Sequence, residues 1–339
     1  MDSDIKVQIK DLYKIFGSKP TMALDHVKAG MSKQELLNGH GHVLGLKNIN
    51  IDIFAHHIQV IMGLSGSGKS TLIRHINRLI EPTAGELLVD GENVLAMTQR
   101  QLQEFRRSKA SMVFQRFALM PHRSVAENVG YGLRIQGLRS EEVAKRSQRW
   151  IERVGLTGYE NYYTSQLSGG MQQRVGLARA LATDAEILLM DEPFSALDPL
   201  IRMDMQEILL DLQTELHKTI IFITHDLDEA LRLGNSIAIL RDGEVIQMGT
   251  GQQIILRPEN DYIKDFTKEI NRGRILKVAS IMNSGRPGSG PEIDGDMVLE
   301  DALQIVSKSG SDIAMVTNGG QPVGSIRLDE MISALAKNV

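Results

Sequence analysis

The nine residues Gly63-Leu64-Ser65-Gly66-Ser67-Gly68-Lys69-Ser70-Thr71 constrain this chain more than any other stretch. They satisfy Gly-x-x-x-x-Gly-Lys-Ser, in which glycines let backbone N–H groups wrap a phosphate. The lysine of such a loop reaches the outer phosphate oxygens, and the serine offers its hydroxyl to Mg2+. The surroundings agree. "HIQVIMGL" reads as a buried strand entering the loop, and Leu72, Ile73, Ile76, Leu79 and Ile80 fall on one helical face after it. The competing Gly-x-Ser-x-Gly nucleophile turn needs glycine where Ser67 stands, and fails. Strand, phosphate loop and helix in that order predict an α/β fold on a mostly parallel sheet.

A second stretch supplies groups that the loop lacks. In "ILLMDE", four apolar residues predict a buried strand whose carboxyl end presents Asp191, placed to hold Mg2+ through water, and Glu192, placed to take a proton from an attacking water. A third, "LSGGMQQRVGLARAL", opens a helix on Ser168, Gly169 and Gly170, where free N–H groups and the helix dipole favour anions. The chain thus has two phosphate cradles with one lysine between them. Gln115 in "MVFQ", His225 in "FITHD" and Phe16 in "KIFG" each carry little alone. By type they are a surface amide, a hydrogen-bonded histidine and a core aromatic. The "HGH" at 40–42 has no metal-site spacing and reads as loop.

Around these motifs the periodicity changes along the chain. "IKVQIKDLYKIFG" alternates as a half-buried strand, and Pro20, Gly30, Gly39 and Gly41 then break the rhythm. Ser32 and Glu35 have capping-box spacing and predict a short helix inside that break. "LKNINIDIF" and "TIIFITHD" read as further strands. Residues from about 98 to 160 look mostly helical and charged, interrupted by Pro121. A glycine- and proline-rich stretch at 283–295 reads as a linker before a last segment of strand and helix pattern. The formal charge of −4 gives no broad attraction to nucleic acid or anionic lipid. With no cysteine, disulfides and thiolate metal sites are excluded. The N-terminal decapeptide lacks a signal pattern and no apolar run is of membrane-spanning length, so the expected place is the cytosol, with any membrane role borrowed from a partner.

The order phosphate loop, VFQ, LSGGMQQ, ILLMDE, SALD, ITHD resembles the ATP-binding cassette (ABC) ATPases over about residues 5 to 250. The resemblance implies ATP and Mg2+ as cofactors, Phe16 as the aromatic that stacks on adenine, and Gln115 as a residue touching Mg2+ or water. It implies His225 as the histidine near the γ-phosphate and Asp198 as a residue crossing a dimer interface. The loop of one chain and Ser168, Gly169 and Gly170 of a second would clasp one nucleotide, so two chains make two sites. More narrowly, "IMGLSGSGKSTLIRHINRLIEPTAGELLVDG" and "EPFSALDPLIRMDMQ" look like the ATPase subunit of glycine betaine/proline-type importers, the quaternary-amine uptake family. That family carries an extra segment between the stacking aromatic and the phosphate loop. The tail "LEDALQIVSKSGSDIAMVTNGGQPVGSIRLDEMISAL" resembles half of a CBS module, where relatives often carry two copies.

The expected fold is therefore an ABC cassette at about residues 1–275, with a RecA-like parallel core, an antiparallel β portion and the helical subdomain. A CBS-like α/β domain is expected at about 276–339. The expected function is the ATPase of an importer for glycine betaine, choline, carnitine or trimethylamine N-oxide. The expected partners are a second copy, a transmembrane permease and, through it, an extracytoplasmic binding protein, with the chain held peripherally on the cytoplasmic membrane face. The competing reading is a soluble ABC ATPase acting on nucleic acid or the ribosome. It predicts basic arms, a long coiled coil or two fused cassettes, none of which the sequence contains.

Overall fold

The alternation near the N-terminus becomes strand Ile5–Phe16, which pairs antiparallel with Val43–Phe54 on one side and Ala84–Val89 on the other. Glu92–Asn93 completes this four-stranded sheet. The buried residues run Val7, Ile9, Leu12, Ile15. Their spacing slips by one after Ile9, where a bulge puts Asp11 at φ 46° and re-phases the strand so that Leu12 still faces inward. The computed structural model describes residues 4–115, 118–268, 270–285 and 288–336. It divides into two units, Met1–Met248 and Gly249–Val339.

The centre of the first unit is a six-stranded sheet in the order Glu244–Gly249, Ser236–Arg241, Ile58–Met62, Thr219–Thr224, Ile187–Asp191, Ala110–Val113. Ile58–Met62, Thr219–Thr224 and Ile187–Asp191 are buried at every residue, as strands covered on both faces must be. They pair in parallel, with Met62 opposite Thr224 and Asp191 opposite Ile223. Their carboxyl ends therefore open along one edge, and Gly63, Glu192 and His225 all leave the sheet there. Helix Lys69–Ile76 lays Leu72, Ile73 and Ile76 into a core shared with Ile61, Leu189 and Ile221 of this sheet and with Val7 and Leu46 of the antiparallel one. The helix ends at Ile76, so Leu79 lies beyond it and is exposed.

The break between Phe16 and Val43 folds as two helices, Pro20–Lys28 and Lys33–His40. Ser32 and Glu35 form a complete capping box, and Gly41 closes the second helix in the left-handed region at φ 65°. Thus His40 belongs to a helix rather than to a loop. Ala23, Val27 and Leu36 pack onto Ile15 and Leu44, fastening this insertion to the antiparallel sheet.

Two further features depart from the sequence expectations. Residues 98–160 are not uniformly helical. Between helices Gln99–Glu104 and Val125–Val129, residues Ala110–Val113 form the parallel edge strand beside Ile187–Met190. The second difference concerns the boundary, expected near 275 with a linker at 283–295. Within that stretch, Asn283–Ser284 pairs with Gln321–Arg327, and Glu292–Asp294 pairs with Ile313–Asn318. These four strands make the sheet of the second unit, accompanied by helices Leu299–Ser309 and Leu328–Ala336. Gly290 is there for close approach, since a Cβ would sit 2.1 Å from the Ile313 carbonyl. Its composition imitates a linker because packed backbone and flexible backbone both select glycine.

Candidate functional site

The loop after strand Ile58–Met62 turns through Gly63 at φ 148°, where a side chain would strike the carbonyl oxygen of Leu240 at 2.1 Å. Ser67 N–H closes onto Leu64 O at 3.2 Å, and Ser67 O accepts from Gly243 N–H at 3.0 Å. Helix Lys69–Ile76 then begins at Gly68, φ 105°, with no side-chain cap. Its first N–H groups are therefore left for a ligand. Leu64 is exposed, whereas the buried Ser67 hydroxyl has no partner among the described residues.

Lys69 is 5% exposed, and its Nζ donates to Gly63 O at 2.7 Å and Leu64 O at 3.0 Å. An ammonium has three donors, so one remains for a phosphate. Burial lowers the Lys69 pKa from its ordinary value, opposed by the nearby charges of Glu192 and Asp191. Ser70 Oγ donates to Asp191 Oδ1 at 2.7 Å, and Arg74 Nη2 reaches Asp191 Oδ2 at 3.2 Å. Asp191 is wholly buried, so both its oxygens are held in place.

Glu192 follows in the left-handed region, φ 48°, with its N–H on Ile223 O at 3.1 Å. Gln115 Nε2 donates to Glu192 Oε2 at 3.1 Å, and His225 Nδ1 lies 3.4 Å from the same oxygen. Three residues from three separated strand ends thus meet at one carboxylate. A cleft of about 300 Å³ runs from Phe16 past Ser65, Gly66 and Thr71 to Lys69, Ser70, Gln115 and Glu192. Phe16 is 39% exposed, with Lys14 Nζ 4.9 Å from its ring centre. Gly45 is pressed so closely to the ring that a Cβ would lie 2.7 Å from Phe16 Cε2.

The remaining sequence candidates do not line this cleft. Ser168 caps helix Gly169–Ala182, its Oγ accepting from Met171 N–H at 3.3 Å, and both Ser168 and Gly169 are exposed. Gly170 is half-buried against Leu197. Asp198 precedes helix Pro199–Leu216, exposed and without a capping bond from its side chain. Beyond Val43, Leu44 and Gly45, which line the cleft beside Phe16, two charged residues at the site escaped the sequence reading. Arg74 lies one helical turn after Ser70, a spacing that places both on one face, and could have been found. Lys33 reaches the cleft from the inserted helices, for which periodicity gives no signal.

The donor set fits a nucleotide polyphosphate with Mg2+. The lysine, free helix N–H groups and orphaned Ser67 hydroxyl suit phosphate oxygens. Among the described residues no cluster of three or more His, Cys, Asp or Glu could cage a metal alone. A hydroxyl and one buried carboxylate nevertheless suit Mg2+, which commonly takes its other ligands from phosphates and water. Among the described residues no helix is long and apolar enough to cross a membrane.

Residues 46–195 match the profile of the ABC transporter family. The chain is 48% identical over 295 residues to the glycine betaine transport ATP-binding protein OpuAA of Bacillus subtilis (strain 168), covering 86% of this chain and 71% of that protein. It is 46% identical over 340 residues to the glycine betaine/carnitine transport ATP-binding protein GbuA of Listeria monocytogenes serotype 1/2a (strain 10403S), covering 98% and 83%. Among solved structures, the dimeric structure of MJ0796, a bacterial ABC transporter cassette, superposes with TM-score 0.63 at 33% identity, covering 72% of this chain and 98% of that one.

Proposed function

Since this chain belongs to the ABC transporter family and is an ATPase that uses ATP with Mg2+, we propose that it powers an importer of glycine betaine or related quaternary and methylated amines. The observation that carries the site reading is the meeting of Gln115, Glu192 and His225 beside the buried Lys69–Ser70–Asp191 group. In this reading Phe16 stacks on adenine, and the backbone of Gly63 through Gly68 with Lys69, Ser70 and Thr71 holds the phosphates. Ser70, Gln115 and Asp191 hold Mg2+, which supplies charge neutralisation of the phosphates. Glu192 takes the proton of the attacking water, while Gln115 orients that water and His225 senses the γ-phosphate. Such chemistry rests mainly on positioning and electrostatics, so a few well-held side chains suffice.

Ser168, Gly169 and Gly170 of a second copy complete each site, and Asp198 crosses the same interface. The exposure of Ser168, Gly169 and Asp198 outside the cleft supports this arrangement, because an anion seat within one chain would be expected to line it. The chain then sits on the cytoplasmic face through a permease, whose coupling helix enters the helical region, and an extracytoplasmic protein delivers the amine. Residues 276–339, within the second unit, act as a single CBS-like domain. The reading as a soluble ATPase acting on nucleic acid or the ribosome has no supporting feature, and the charge of −4 opposes it. The test is ATP hydrolysis by the chain reconstituted in liposomes with its permease and binding protein. Glycine betaine should raise the rate, and a rate indifferent to every methylated amine in a panel would reject the amine class.

A further inference from the structure

The cleft carries a second lysine that the phosphate loop does not explain. Lys33 lines it from the inserted helices, together with Phe16 and the loop residues Ser65 and Gly66. It is the first residue of helix Lys33–His40, where a positive charge opposes the helix dipole. The helix gains nothing from a cation there. The nearby Glu35 is committed to the capping box, its carboxylate accepting from Ser32 N–H at 2.8 Å. Among the described residues the only carboxylate within 4 Å of Lys33 Nζ is Asp242, at 3.9 Å, and Asp242 is itself largely exposed. The mount is nonetheless firm, since Leu36 of the same helix is buried with Ala23 and Val27 against Ile15 and Leu44. A firmly mounted ammonium, loosely paired and costly to its own helix, stands at a cleft built for an anion.

We propose that Lys33 is a nucleotide-binding residue, its ammonium pairing with the polyphosphate of the nucleotide held by Lys69. The inserted helices thereby form a wall of the site. This rests on the reading of the cleft as a nucleotide site. The phosphate is the target rather than the base, because adenine is uncharged and the apolar end already offers Phe16, Val43 and Leu44. One added charge at a half-exposed position corresponds to about a 5- to 20-fold change in affinity at low salt.

The test is equilibrium binding of ATP, ADP and adenosine to the full chain in about 50 mM salt, the Debye length there still spanning the cleft. Lys33→Ala should weaken ATP by that factor, Lys33→Glu by more, and Lys33→Arg by little, with melting temperatures no lower than the parent's. Adenosine affinity should stay the same in all three, and the loss for ATP should shrink as salt rises. ATP affinity of Lys33→Ala within twofold of the parent chain would overturn the proposal, as would an equal loss for adenosine. Lys69→Ala separates the two levels of inference. If it binds ATP as the parent does, the cleft is not the nucleotide site, whatever Lys33 does.

Discussion

Glu192 sits at φ 48°, a conformation that non-glycine residues rarely adopt, with its carboxylate shared by Gln115 and His225. The strain is tolerated because the parallel pairing of Ile187–Asp191 with Thr219–Thr224 fixes the backbone leading into it, and Ser195 Oγ donates to the Glu192 carbonyl oxygen at 3.0 Å after it. Glu192→Gln keeps the shape and loses the base. Steady-state ATPase should fall by about 10²–10⁴ while ATP binding persists, and near-normal turnover would remove Glu192 from that role. Phe16→Ala removes a stacking face worth about 1–3 kcal/mol per base in nucleic-acid complexes. ATP and GTP affinities should then fall together, since stacking is indifferent to base identity, and unchanged binding would return Phe16 to a structural role. His75 makes a different prediction. It is wholly buried on the phosphate-loop helix, its Nδ1 2.6 Å from Thr71 O, and burial pushes its pKa from 6.5 down to about 4. Between those values the unfolded chain binds more protons than the native one, so stability is lost as pH falls through 6.5 toward 4. From pH 7.5 to pH 5 the loss from this group is about 2 kcal/mol. Urea midpoints at the two pH values should differ less in His75→Gln, and an identical difference would acquit the histidine.

Secondary structure shows why some of this was legible beforehand. The phosphate loop, the strand before it and the strand ending at Asp191 were readable because each joins a local pattern to a chemical one. Short, mostly apolar runs have few alternatives beside a glycine loop. The capping box of Lys33–His40 was equally readable, because Ser32 and Glu35 satisfy each other without help from the rest of the chain. Edge strands were not. Ala110–Val113 holds only four residues amid charged helices, and its strand character comes from Ile187–Met190 alongside it. Asn283–Ser284 and Glu292–Asp294 are shorter still, and the glycines among them answer to packing that exists only in the folded unit. At the site, residues at strand ends could be found, whereas Lys33 could not. Its approach to the cleft depends on how an insertion folds back onto the antiparallel sheet.

For the molecule as a whole, the division after Met248 changes how its tail should be removed. A cut at 283 would leave Leu276 and Val278, both wholly buried, without the unit that buries them. A chain ending at 248 removes the second unit intact. If tails pair across two copies, as a small domain with Ile305 and Ile332 exposed on helices Leu299–Ser309 and Leu328–Ala336 invites, that truncation should lower nucleotide-free self-association and leave ATP affinity unchanged. Equal self-association by sedimentation would dismiss the pairing. The larger claim is that neither phosphate cradle closes a site alone, so that ATP joins two copies and hydrolysis parts them. It is tested most directly by sedimentation of Glu192→Gln with ATP and Mg2+, alone and with Ser168→Arg added, alongside monomer ATP affinity for Ser168→Arg and Lys69→Ala. The account predicts an ATP-dependent dimer for Glu192→Gln, abolished by Ser168→Arg without loss of monomer affinity, whereas Lys69→Ala loses that affinity. A dimer that survives Ser168→Arg, or equal loss of monomer affinity in Ser168→Arg and Lys69→Ala, would contradict it.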